Sequence, residues 1–114
     1  MNDCLFCKIE QDEIPSERIY EDDQLFAIKD INPQAPTHLL IIPRKHFASI
    51  LDVKTTDQAL IGSIFEVAKK LAYELGLTQS GFRIVLNCGS DGGQTIFHIH
   101  FHLLGGRTMG WPPG

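Results

Sequence analysis

The sequence predicts an α+β fold, a mostly antiparallel sheet of five strands with one long helix on one face and a short N-terminal helix. Three observations carry that expectation. Through Phe97-His98-Ile99-His100-Phe101-His102-Leu103-Leu104, histidine and apolar residues alternate with a period of two, which belongs to a strand. From about residue 56 to 75, apolar residues recur with the period of an amphipathic helix. Four further short apolar runs, bounded by Pro, Gly and Asp, lie on either side of that helix and read as strands.

Taken in order, Leu5, Phe6 and Ile9 are spaced for one side of the short helix, and Pro15 closes the segment. Residues 18–21 and 25–30 read as strands joined by a turn at Asp22-Asp23. The two prolines of Asn32-Pro33-Gln34-Ala35-Pro36 exclude regular structure and make a loop. His38-Leu39-Leu40-Ile41-Ile42 is short and apolar enough to be a buried strand, ended by Pro43. The long helix opens on a capping-box pattern, Thr55-x-x-Gln58, and runs through Leu60, Ile61, Ile64, Phe65, Ala68, Leu71, Ala72 and Leu75 to a stop at Gly76. Its aromatics Phe65 and Tyr73 read as core packing. Residues 82–87 form the next strand, and the Gly-rich turn at 89–93 implies that it pairs antiparallel with the histidine strand.

Composition bounds the function. A chain of 114 residues, 43% hydrophobic and 21% charged, fits a single domain over residues 1–114 with a core small enough to gain from a partner subunit. The net charge of −4 offers no basic face for a nucleic-acid polymer. No apolar run approaches a membrane span, and the first residues lack a secretory pattern, so the expected location is cytoplasmic with no membrane partner. Three cysteines, two as Cys4-x-x-Cys7, read as metal ligands or a redox pair rather than a disulfide framework.

The alternation sets His98, His100 and His102 on one face about 7 Å apart, with Phe97, Ile99, Phe101 and Leu103 on the other. Three imidazoles each needing a donor and an acceptor partner do not make an economical core, so the row reads as a metal site or a nucleophile site. Just ahead, Gly92-Gly93-Gln94-Thr95 supplies backbone N–H groups and a hydroxyl suited to phosphate oxygens.

These residues resemble the histidine triad superfamily of nucleotide hydrolases and transferases. The motif His98-Ile99-His100-Phe101-His102-Leu103-Leu104 carries the likeness, together with Asp30 to His38, Asn87, Ser90 to Thr95, Leu104-Gly105-Gly106-Arg107 and Trp111-Pro112-Pro113-Gly114. The branch most similar is that of the histidine triad nucleotide-binding proteins. The resemblance implies a homodimer that hydrolyses purine nucleoside phosphoramidates through a nucleotidyl-histidine. It implies His100 as nucleophile, His102 and Asn87 at the α-phosphate, His38 in a relay behind the triad, and His98 as the remaining triad member. By the same likeness Asp30 binds the ribose, Phe6, Ile9, Ile28 and Ile31 line the base pocket, Gly93 and Thr95 approach the phosphate and leaving group, and Gln94 between them is expected among the nucleotide-binding residues. Trp111 borders the site across the dimer. A third His, where the transferase branch has Gln, favours hydrolysis over transfer.

Other readings stay open. Three histidines on one metal would make an open catalytic site, but no acidic general base is evident beside them. Cys4, Cys7, His46 and His98 would instead make a closed, structural zinc site, which some members of the superfamily resemble. A nucleotide-binding regulatory module with little catalysis and a dinucleoside polyphosphate hydrolase are the remaining alternatives.

Overall fold

A computed structural model describes residues 3–114. The chain runs α1 (Leu5–Glu10), β1 (Arg18–Glu21), β2 (Leu25–Lys29), β3 (Thr37–Pro43), two 3-10 turns (Ile50–Asp52 and Thr55–Asp57), α2 (Gln58–Glu74), β4 (Phe82–Leu86) and β5 (Phe101–Gly105). The strands form one sheet in the order β1-β2-β3-β5-β4, with every neighbouring pair antiparallel. The last strand thus inserts between β3 and β4 and becomes central.

The period of two divides the sheet into two apolar faces. Leu25, Ala27, Leu39, Ile41, Phe101 and Leu103 meet Ile64, Val67, Ala68 and Leu71 of α2 on one side. Phe26, Ile28, Leu40 and Ile42 meet Phe6 and Ile9 of α1 on the other. Because β2 and β3 are covered on both faces, they read as continuous apolar runs rather than alternating ones.

Local signals mostly act as expected. Asp22 accepts backbone N–H bonds from Gln24 and Leu25 at 2.8 and 3.0 Å, which closes the β1–β2 turn. Gly76 adopts φ +72°, and the Leu77 N–H to Ala72 and Gly76 N–H to Tyr73 bonds terminate α2 in a Schellman arrangement. The helix start differs from expectation. A 3-10 turn occupies Thr55–Asp57, and it is the Asp57 carboxylate that reaches back to the Lys54 N–H at 3.0 Å, in place of a Thr55–Gln58 box.

Two further readings are corrected. Phe65 and Tyr73 are not core: Phe65 is 49% exposed, with its ring edge-on to Phe101, and Tyr73 is 68% exposed. The histidine segment is a regular strand only from Phe101 onward. Extending the β3–β5 register by two residues would oppose Ile99 to Pro43, which has no N–H and whose carbonyl accepts from His98 Nε2 at 2.7 Å. The ladder therefore stops, and the chain ahead of it bends at residues 96–98. Ile99, Phe101 and Leu103 remain in the core, whereas Phe97, expected there, turns out to solvent at 57% exposure.

Candidate active site

The face opposite α2 carries the site. Leu40 on β3 lies opposite His102 on β5, and Val85 on β4 opposes it from the other side, so His102 sits mid-sheet. A cavity of about 650 Å³ opens over β2 and β3 beside it. Its apolar wall is Leu5, Phe6, Ile9, Ile28, Ile31 and Leu40; its polar end holds Asp30, His38, Gly93, Thr95, His100 and His102. Ile31 is fully exposed at the lip. An open hydrophobic slot that ends in convergent polar groups has the form of a small-molecule site.

Hydrogen-bond partners assign the imidazole tautomers. His100 Nδ1 lies 2.8 Å from the His98 carbonyl, which can only accept, so Nδ1 carries the proton and Nε2 keeps its lone pair. His38 Nδ1 accepts from the Gln34 N–H at 3.0 Å, leaving its proton on Nε2, 2.9 Å from His102 Nδ1 and 3.3 Å from Asp30 Oδ2. His102 Nδ1 is therefore an acceptor, and its Nε2–H is a donor. Asp30 is held in turn by the Asn32 N–H at 2.8 Å on its other oxygen.

Burial keeps these imidazoles neutral. It pushes His38 and His100 below the usual histidine value, opposed at His38 by the Asp30 charge and at His100 by the bond to the His98 carbonyl and then by Asp30. His102 is pushed down to about 4, first by burial and then by its neighbours His100 and His38. A neutral His100 is the nucleophilic form.

The glycine turn is built around close approaches. Asn87 Nδ2 donates to the Gly92 carbonyl at 2.6 Å, and a Cβ at Gly92 would collide with the Cys88 carbonyl. Gly93 follows at φ +81°. Gln94 does not face the cavity. It is 6% exposed, donates to the Ala48 and Ile96 carbonyls at 2.7 and 3.1 Å, and accepts from the Gly89 N–H at 3.0 Å. Its amide fastens the turn that presents Gly93 and Thr95.

His98 is likewise set apart from the cavity, at 0% exposure. Because its Nε2–H is given to Pro43, its Nδ1 lone pair faces Cys4 Sγ at 3.2 Å, Cys7 Sγ at 3.5 Å and His46 Nδ1 at 3.0 Å. Donors sharing one tetrahedral zinc with bonds of about 2.0–2.3 Å stand roughly 3.3–3.8 Å apart, so this set fits the ion with little adjustment. The Cys7 N–H also donates to Cys4 Sγ at 3.3 Å. All four donors come from protein and two are sulfur, the composition of a structural site.

Two of the expected residues stand outside this cavity, Trp111 having been expected at the site of a partner subunit. Asn87 and Trp111 do not line the cavity, and Trp111 is 84% exposed. Ile14, Pro15 and Ser16 form a wall that sequence reasoning missed. Arg18 holds that α1–β1 loop by donating to the Ile9 carbonyl at 2.6 Å and to Asp12 at 3.0 Å, where Asp12 has φ 62°. A lone arginine at a strand start gave no signal of this role.

A five-stranded antiparallel sheet with this imidazole row defines a histidine triad protein, and the HIT domain profile matches residues 11–109. The chain belongs to the HIT family. It superimposes on a HIT family hydrolase from Legionella pneumophila Philadelphia 1 with a TM-score of 0.96 and 57% identity, covering 98% of this chain and 100% of that one. It is 44% identical over 106 residues to the purine nucleoside phosphoramidase of Escherichia coli K12, spanning 93% and 89% of the two chains. An uncharacterized HIT-like protein of Synechococcus elongatus is 47% identical over 112 residues, with 98% and 97% covered.

Proposed function

We propose that this protein is a hydrolase that cleaves the P–N bond of purine nucleoside phosphoramidates. The observation that carries the reading is the 2.8 Å bond from His100 Nδ1 to the His98 carbonyl, which leaves Nε2 unprotonated on a residue lining the cavity. The name of the Escherichia coli relative supports the substrate class.

In this reading the nucleoside lies along the apolar wall with its ribose at Asp30. His100 Nε2 attacks phosphorus, and the P–N bond breaks with its electron pair going to the amine. A solvent proton taken up by the scissile nitrogen makes the amine a good leaving group. The His38 Nε2–H stays on its nitrogen and donates to His102 Nδ1, which keeps the His102 Nε2–H turned toward the phosphate, while Asp30 holds His38 in place. Water attacks the nucleotidyl-histidine, releasing the nucleoside monophosphate and restoring His100. The Thr95 backbone N–H and the His102 donor hold the non-bridging oxygens, while the Gly93 N–H is spent on the Ser90 carbonyl at 3.0 Å inside the turn.

Zinc at Cys4, Cys7, His46 and His98 would tie α1, which supplies Phe6 and Ile9, to the segment ahead of β5. The chain acts as one domain, as a cytoplasmic homodimer. Quenching a slow adenosine phosphoramidate reaction should trap adenylate on His100, read by mass spectrometry. Replacing His100 with Asn should lower turnover by several orders of magnitude while nucleotide still binds. An adduct on another residue, or turnover near wild type in His100→Asn, would overturn the assignment.

A further inference from the structure

Across the sheet face opposite α2, the strand order gives a direction to any substrate with its phosphorus at the histidines. The nucleoside cavity covers β2 and β3, His102 stands on β5, and beyond it lies β4. Over β5 and β4 is a second cavity of about 220 Å³, walled from the first by His38, His102 and Gln34. Arg83, Val85, Asn87, Leu104 and Arg107 line it. Register places Arg83 directly opposite Leu104 and Val85 opposite His102, so Arg83 stands two residues along the same face from the position facing the imidazole.

The charge of this second cavity is unusual for the chain. Of four arginines, Arg18 and Arg44 are each paired with two carboxylates. Arg83 and Arg107 form no ion pair among the described residues. Arg83 donates to the Gly110 carbonyl at 2.8 Å, and Arg107 to the Gln34 and Thr108 carbonyls at 2.9 and 3.1 Å. Each guanidinium is therefore held in place by backbone while its charge is unmatched, in a protein of net charge −4. A guanidinium has five N–H donors, so both keep several to offer.

We propose that this cavity is the leaving-group subsite, and that it selects leaving groups bearing an anion, a carboxylate or a further phosphate, through Arg83 and Arg107. The proposal rests on the phosphoramidase reading and names its substrate class. A carboxylate placed one or two bonds beyond the scissile nitrogen would lie over β4, as in an adenylate joined through nitrogen to an amino acid.

The test compares adenosine phosphoramidates of glycine, with a free carboxylate, and of glycinamide, its neutral isostere. Wild type should show a kcat/KM for the glycine compound about tenfold or more above the glycinamide compound, falling as salt rises. Arg107→Met should bring that ratio toward one, and Arg83→Glu should invert it. Equal values for the two compounds in wild type would overturn the subsite while leaving the phosphoramidase reading intact. If neither compound is cleaved, that reading fails instead, and equilibrium binding decides the subsite. ADP, whose second phosphate would occupy it, should bind about tenfold tighter than AMP to wild type and not to Arg107→Met; equal affinities in wild type would sink it.

Discussion

His38 Nε2 lies 2.9 Å from His102 Nδ1, joining adjacent strands through their side chains on the face that carries the cavity. Because the Gln34 N–H occupies His38 Nδ1 at 3.0 Å, the proton between the rings belongs to His38, and it fixes His102 as a donor through Nε2. Replacing His38 with Asn removes the imidazole that orients His102 and leaves the nucleophile in place. Steady-state kinetics should show kcat reduced by roughly 10- to 100-fold. The KM should change far less, since His38 is only 6% exposed and offers substrate little surface.

The same buried row makes stability depend on pH. The His102 pKa, near 6.5 in the unfolded chain, falls to about 4 on folding through burial, with His100 and His38 adding to the shift and Asp30 opposing it. Between those values the unfolded chain binds more protons than the folded one. Stability from this group is therefore present above about 6.5 and lost as pH falls through about 4. His38 and His100 shift in the same direction. The urea midpoint should be lower at pH 5 than at pH 7.5, and His102→Asn should narrow the gap.

Why the histidine row was legible while its ladder was not follows from what each depends on. Alternation of faces needs only an extended backbone, so Ile99, Phe101 and Leu103 reach the core as their spacing implies. Ladder length needs the partner strand, and nothing near Ile99 in sequence announces that Pro43 stands opposite. Phe97 fails for the same reason, since it lies beyond the last paired residue. The apolar wall from Phe6, Ile9 and Ile28 was readable through the family motif. Ile14, Pro15 and Ser16 were not, because a loop clamped by Arg18 has no periodicity to read. Gln94 sits in the phosphate-facing stretch of the sequence, yet its amide satisfies three backbone groups inside the turn.

Metal removal is expected to act on the fold before the chemistry. Cys4 is the N-cap of α1 and Cys7 lies in its first turn, while His98 is anchored to Pro43 at the end of β3. A strong chelator, or Cys7→Ser, should lower Tm by at least about 5 °C, which differential scanning calorimetry would register. Protein isolated without added metal or affinity tag should contain close to one zinc per chain by elemental analysis. Loss of turnover with Tm unchanged would mean that the metal is catalytic.

Gly92 is the tightest point of the phosphate-facing turn. Its hypothetical Cβ would meet backbone atoms of Cys88, which cannot swing aside as a long side chain could. Gly92→Ala should cost about 1–3 kcal/mol in chemical denaturation and weaken nucleotide binding measured by calorimetry, because Asn87 holds the same carbonyl. Gly110→Ala, where no atom lies within 4 Å of the added Cβ, is the control expected to move stability by less than about 0.5 kcal/mol.

The outer side of α2 is where a second copy of the chain is expected. Phe65 and Tyr73 leave large aromatic surface in solvent, and Phe82 is 39% exposed on β4, an edge strand with one row of backbone groups unpaired. Gly62, one turn before Phe65, has no atom within 4 Å of where its Cβ would be. A glycine inside a helix costs about 1 kcal/mol relative to alanine, and nothing within the described chain uses its small size. A second helix packed closely against Gly62 and Phe65 would use it, and pairing of two β4 edges would satisfy the open ladder by the same two-fold axis. Sedimentation equilibrium at micromolar concentration should therefore give twice the 12.8 kDa chain mass, and Phe65→Glu should give the monomer. Gly62→Ala should weaken the dimer if the helices touch there; if it instead raises Tm with the mass unchanged, the contact lies elsewhere. A wild-type monomer would remove the basis for placing Trp111 beside a partner's site.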